Sequence, residues 1–169
     1  MAHQDQRDFA SRVRDRFIKL FRGARVLDCG ALDVNGNNRY LFEGGSYVGL
    51  DVVPGKNVDV VGTAHQYAEP TGSFDVVIST EMLEHDPHWA DSLRNMARLV
   101  KPGGVLLITC ATTGRAEHFF GPEEWGQYYR NLTEADFRSV LDIETLFDES
   151  GFEVNLKHAD IYFWGLRHN

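Results

Sequence analysis

Five short apolar runs limit this chain's fold more than any other feature: Arg25 to Cys29, Tyr47 to Asp51, Val58 to Val61, Phe74 to Ser79 and Val105 to Thr109. Runs of this length, separated by turn signals or helical patterns, are what a parallel sheet covered on both faces produces. After Gly151 the pattern changes to alternation, with Phe152, Val154 and Leu156 followed by Ile161 and Phe163. Two alternating strands joined at His158 to Asp160 predict a terminal antiparallel hairpin, so the sheet is mixed at its end.

Helices are placed by their punctuation. Asp86-Pro87 reads as a cap and first-turn pair, after which Trp89, Leu93, Met96, Ala97 and Val100 share a face until Lys101-Pro102-Gly103-Gly104 stops the helix. A second helix is expected from Thr133, with Phe137, Val140, Leu141 and Phe147 as its stripe and Gly151 as its end. Residues 1–23 predict an N-terminal helix with Phe9, Val13, Phe17, Leu20 and Phe21 on its apolar face. The stretch from Ala111 to Leu132 has no period and is rich in aromatics, which marks residues 111–132 as a lid or acceptor-binding segment. With 169 residues, the chain fits one domain over 1–169.

Composition narrows the function. The net charge is −8 and no basic run occurs, so a nucleic-acid partner is disfavoured. The two cysteines, Cys29 and Cys110, lie inside apolar runs and predict buried thiols in a reducing compartment. No leader-like segment and no membrane span of roughly 18 apolar residues is seen, which predicts a soluble, cytoplasmic protein.

The stretch "RVLDCGALDVNGNNRY" reads as a strand, a glycine turn and then a helix, the opening of a nucleotide-binding unit. Counting from Gly30, the second and third glycine positions of a dinucleotide loop hold Leu32 and Asn35. Leu32 would crowd a diphosphate and Asp33 would repel it, which opposes a nicotinamide or flavin dinucleotide. A nucleoside without phosphates escapes both objections. The second strand ends in Asp51, about twenty residues past the first turn, where a carboxylate can accept hydrogen bonds from ribose hydroxyls.

Four stretches, "VLDCGALDVNG", "YVGLD", "FDVVISTEMLEH" and "LVKPGGVLLIT", stand in the order and at the spacings of class I S-adenosylmethionine-dependent methyltransferases. The chain resembles that family, and within it the small-molecule O-methyltransferases of the ubiquinone-biosynthesis type. The resemblance covers Arg25 to Thr109 well and the remainder loosely; the usual Gly-x-Gly-x-Gly is reduced to Gly30 with Gly36 further on. It implies an α/β fold, Rossmann-like, with a seven-stranded mostly parallel sheet, a C-terminal antiparallel hairpin and helices on both faces.

The cofactor it implies is S-adenosyl-L-methionine, leaving as S-adenosyl-L-homocysteine. Asp28 and Gly30 would lie beneath the methionine part, with Ala31 and Leu32 completing that loop. Asp51, with Val52 beside it, would hold the ribose. Thr63, Ala64 and His65 would border the adenine, and Thr80, Glu81 and Met82 would wall the sulfonium side. Arg39 is left between the cofactor carboxylate and an ion pair with Glu43.

Methyl transfer from a sulfonium is an in-line displacement, so the protein's work is to position the acceptor and, for a hydroxyl, to help remove its proton. His85 and Glu81, at the end of the fourth strand, are the candidate catalytic residues. Glu84, His85 and His88 lack a closed ligand set, so no metal is expected there. The lid offers His118, Tyr128 and Arg130 to the acceptor, with Trp125 and Tyr129 assigned to the core. The acceptor is expected to be a small molecule, methylated on oxygen. The alternatives are a non-catalytic cofactor-binding module of a larger assembly and, opposed by Leu32, a nicotinamide-dependent oxidoreductase.

Overall fold

The computed structural model describes residues 3–125 and 127–169. Seven strands form one sheet: β1 (Arg25–Cys29), β2 (Ser46–Asp51), β3 (Val60–Val61), β4 (Phe74–Thr80), β5 (Val100–Ala111), β6 (Phe147–Asn155) and β7 (Asp160–Arg167). Their spatial order is β3-β2-β1-β4-β5-β7-β6. The first five run parallel, while β7 is antiparallel to both β5 and β6. The winding of the sheet reverses between β1 and β4, and in such sheets the crevice beyond the carboxyl ends of the strands is where ligands settle.

Burial explains the strand sequences. Leu27, Val76, Val77, Ile78, Leu106, Leu107 and Ile108 are fully buried, or within 1% of it, because both faces of the sheet are covered. On one face α1 (Gln4–Arg16) and α2 (Ile18–Phe21) pack Phe9, Ala10, Val13 and Phe21 over Val26, Val76, Ile78 and Leu107. On the other, α3 (Trp89–Leu99), α4 (Glu134–Val140) and α5 (Ile143–Leu146) cover Leu27, Val77, Leu106 and Ile108. Asp86 does not cap α3 as expected: the helix starts at Trp89 with His88 in the cap position and no side-chain capping bond, while the Asp86 carboxylate accepts from the backbone N–H of His88 at 2.7 Å in the turn before it. At α4, Thr133 and Asp136 form a reciprocal capping box.

Three further expectations are corrected. The helix after Gly30 is absent: between β1 and β2 only a single 3-10 turn forms, at Arg39–Leu41. Asp33 diverts the backbone, accepting from the N–H of Gly36 at 2.8 Å and from Asn37 Nδ2 at 2.9 Å, which offers the chain an alternative to helical bonding. The N-terminal helix breaks at Phe17 instead of running on.

The helix from Thr133 does not reach Gly151. It ends at Val140, and Asp142 caps the separate turn α5. Phe147 opens β6 and packs edge-on against Phe163. Gly151 lies inside β6 opposite Trp164, where a Cβ would come within 2.7 Å of the indole nitrogen. The glycine clears space for that ring and does not terminate a helix.

Candidate active site

The carboxyl ends of β1, β2 and β4, together with residues 118–121 of the segment after β5, enclose a cavity of about 330 Å³. Asp28 forms its floor. This carboxylate is 1% exposed, accepts from Tyr47 Oη, and receives Asn38 Nδ2 at 3.2 Å; the same amide reaches Thr80 Oγ1 at 3.1 Å. Burial pushes the Asp28 carboxyl up to about 6, with the Tyr47 and Asn38 hydrogen bonds opposing.

Gly30 follows at φ +82, and a Cβ there would stand 2.6 Å from Met82 Cβ. The wall therefore requires a residue without a side chain at this turn. Ala31 and Leu32 continue the wall, and Asp51 and Val52 face them from the end of β2. Asp51 accepts from the backbone N–H of Leu32 at 3.0 Å and of Val53 at 3.2 Å. Ala64, beyond β3, closes the end away from β4.

After β4, Thr80, Glu81 and Met82 line the opposite side. Glu81 holds a left-handed backbone at φ 55, a conformation that costs a non-glycine residue about 1–2 kcal/mol. Its Oε2 is buried without a hydrogen-bond partner, and burial followed by the nearby Asp160 raises its carboxyl above the ordinary range. Glu84 is fully buried with both oxygens unpartnered and is raised further, by burial and then by Glu81.

His85 reaches the cavity from the 3-10 turn Leu83–His85. Burial and then His118 hold it down at about 4, so the imidazole is neutral at neutral pH. His118 and Tyr129 pack against it, with ring centroids 4.9 and 5.5 Å away.

Some anticipated residues stay outside this cavity. Thr63 faces Gln66, while the His65 ring lies 4.2 Å from His88. Arg130 pairs with Asp136 at 2.6 Å and sits over Trp89, and Tyr128 is likewise absent from the lining. Arg39 does not pair with Glu43: it bonds Asn57 at 2.5 Å and Asp59 at 3.2 Å, while Glu43 faces Arg22.

Conversely, Trp125 lines the cavity, as do Phe119 and Phe120, and the half-buried Tyr129 presents an unpartnered hydroxyl near His85. Asn38 escaped sequence reasoning entirely. Its signal was the run Asn35, Asn37, Asn38 directly after an acidic loop, which is polar material with no helical period to serve.

Comparison with known proteins agrees with this geometry. A family model described as a methyltransferase domain matches residues 1–157. A ubiquinone biosynthesis O-methyltransferase of Xanthomonas oryzae is 55% identical over 42 residues, 25% of this chain and 18% of that protein, so the chain matches less than a fifth of that relative's length. The 1,6-didemethyltoxoflavin-N1-methyltransferase of Burkholderia thailandensis, solved with 1,6-didemethyltoxoflavin and S-adenosylhomocysteine, superposes with a TM-score of 0.68 at 18% identity, covering 95% of this chain and 77% of that one. The YcgJ protein of Bacillus subtilis gives 0.66 at 13% identity, covering 96% and 99%. The strand order, the crevice at the β1/β4 reversal and the family match agree, and the chain belongs to the methyltransferase domain family, with the class I, S-adenosylmethionine-dependent architecture that its four motifs resemble.

Proposed function

We propose that the chain binds S-adenosylmethionine in this cavity and directs its methyl group to an oxygen of a small-molecule acceptor. One observation carries the reading: a single cavity runs continuously from Asp51, a ribose-type carboxylate, to the neutral His85 under the ring of His118. The cofactor fits the donor set. Asp51 retains lone pairs for a sugar diol, Asp28 and Asn38 offer polar atoms beneath the methionine end, and Gly30 leaves room beside Met82.

The bound cofactor supplies an activated methyl group on sulfur. The protein orients the acceptor and accepts its proton. Neutral His85 can take a hydroxyl proton through a ring nitrogen; its Nδ1 is buried and has no partner. A base held at about 4 is weak, which suits an acceptor whose hydroxyl is itself acidic, such as a phenol or enol. Phe119, Phe120 and Trp125 offer such a ring an apolar wall. The name of the Xanthomonas relative favours oxygen as the methylated atom.

A thermal-shift series with S-adenosylmethionine, S-adenosylhomocysteine and NADH tests the cofactor. Stabilisation by the first two supports the reading, and a response to NADH alone overturns it. Incubation with methyl-labelled cofactor and a metabolite extract then tests transfer. A labelled, base-stable ether product that is lost in His85→Ala is expected. Cofactor binding without any labelled product would favour the non-catalytic module.

A further inference from the structure

We propose that His3, Asp5 and His158 form a binding site for a divalent transition-metal ion of the zinc type, joining the start of α1 to the turn between β6 and β7. The site lies outside the cavity and is independent of the methyl-transfer reading. One ligand atom from each residue is available, and these atoms lie within 4.8 Å of one another. Tetrahedral zinc, with bonds of about 2.1 Å, needs its ligands roughly 3.4 Å apart, so side-chain rotations of about 1 Å would complete the set. Two imidazoles and one carboxylate suit zinc, with water filling the fourth position.

The surroundings hold each ligand in place, as the outer partners of metal ligands do. Asp160 is fully buried, is fixed by Arg115 Nη1 at 2.7 Å, and accepts from His3 Nε2 at 2.5 Å. That contact puts the ring proton on Nε2 and leaves the Nδ1 lone pair facing outward to the helix start. Nδ1 now receives only the backbone N–H of Gln6, at a long 3.3 Å, which a metal can readily displace. The carboxylate–histidine–metal relay would thus run Asp160, His3, ion.

Asp5 is oriented by Asn155 Nδ2 at 3.1 Å, and the same asparagine accepts the backbone N–H of His158 at 3.3 Å. The Asp5 carboxylate also stands 3.3 Å from His158 Nε2, so two of the three ligand groups already meet. The His158 carbonyl is held by Arg115 at 2.8 Å, and Ala159 keeps the turn at φ 52. The two imidazoles stack at 3.7 Å. Lys157 Nζ, 3.6 Å from Asp5 on a largely exposed side chain, competes with the ion and must swing away.

The test is titration of the tag-free chain with zinc chloride and, separately, cobalt chloride. Zinc is read by calorimetry and thermal shift, cobalt by its ligand-field absorption. Expected are one saturable site, a higher melting temperature with zinc, and tetrahedral cobalt bands. His158→Ala and Asp5→Asn should each weaken binding at least tenfold, as should His3→Asn, which keeps a helix-capping side chain while removing the imidazole. Lys157→Gln should tighten binding several-fold. No saturable binding at about 100 µM metal, or binding that all three ligand variants leave unchanged, overturns the proposal. Circular dichroism on each variant separates loss of the site from loss of fold.

Discussion

The backbone N–H of Leu32 donates to Asp51 Oδ2 across 3.0 Å, tying the loop after β1 to the end of β2. The same carboxylate proposed to bind the ribose therefore also holds the loop that faces it. Asp51→Ala should remove both functions at once. Charge-assisted hydrogen bonds contribute about 1.5–3 kcal/mol each, so S-adenosylhomocysteine binding is expected to weaken by about 100-fold. Calorimetry on the folded variant checks this; undiminished binding would refute the ribose assignment.

Gly30 and Met82 form a steric pair. In Gly30→Ala the new methyl meets Met82 Cβ, and the positive φ adds about 1 kcal/mol or more of backbone strain. The variant should lose about 2–4 kcal/mol in chemical denaturation. Adding Met82→Ala should not recover it fully: that residue keeps its Cβ, so most of the clash and the backbone strain remain. Met82→Gly in the same background should restore more, though the glycine itself adds flexibility.

Asp28 and His85 make opposite contributions to the pH dependence of stability. The folded Asp28 carboxyl binds its proton up to about 6, above its ordinary 3.8, so its contribution is full below 3.8 and is lost as pH rises through 6. The folded His85 imidazole titrates at about 4, below its ordinary 6.5, so its contribution is present above 6.5 and is lost as pH falls toward 4. The two shifts are of similar size and opposite sign, so between pH 4 and 6 they largely offset one another. Relative to the parent chain, urea melts of Asp28→Asn should show stability rising more with pH across this window, and those of His85→Gln should show it falling more. Parallel profiles in the two variants would contradict the assignment.

Tyr129 carries a buried hydroxyl with no partner. Removing an unsatisfied buried polar group relieves a cost of about 1–3 kcal/mol. Tyr129→Phe should therefore leave the melting temperature of the ligand-free chain unchanged or higher. If the hydroxyl meets the acceptor, the same change should raise the KM for the acceptor while cofactor binding stays constant.

The sheet was legible because its strands are doubly buried and therefore continuous in apolar character, as in Val76-Val77-Ile78 and Leu106-Leu107-Ile108. Asp51 was legible for a related reason: a strand end fixes where a carboxylate must point. The region between β1 and β2 was not. Its fold is decided by Asp33 bonding to its own neighbours, a local competition that helical periodicity does not register. The lid residues were harder still. Trp125 and Tyr129 were both assigned to the core, but Trp125, at the end of the 3-10 turn Glu123–Trp125, lines the cavity. The position of Tyr129 depends on contacts with His85 and His118, which are distant in sequence. Asn38 shows the same limit, since its partners Asp28 and Thr80 come from two different strands.

The docking of α1 has a consequence for biosynthesis. Phe9 stacks on Tyr162 at 4.8 Å, and Arg12 reaches Glu153 at 2.7 Å. During vectorial synthesis α1 emerges well before β7, so it must wait for that strand before its seat is complete. Until β7 slots between β5 and β6, Phe9 lacks the Tyr162 ring it stacks on and the apolar edge of β5 beneath that end of α1 stays unpaired. Translation pauses or truncations that delay β6 and β7 would leave that surface open to chaperones and to other nascent chains.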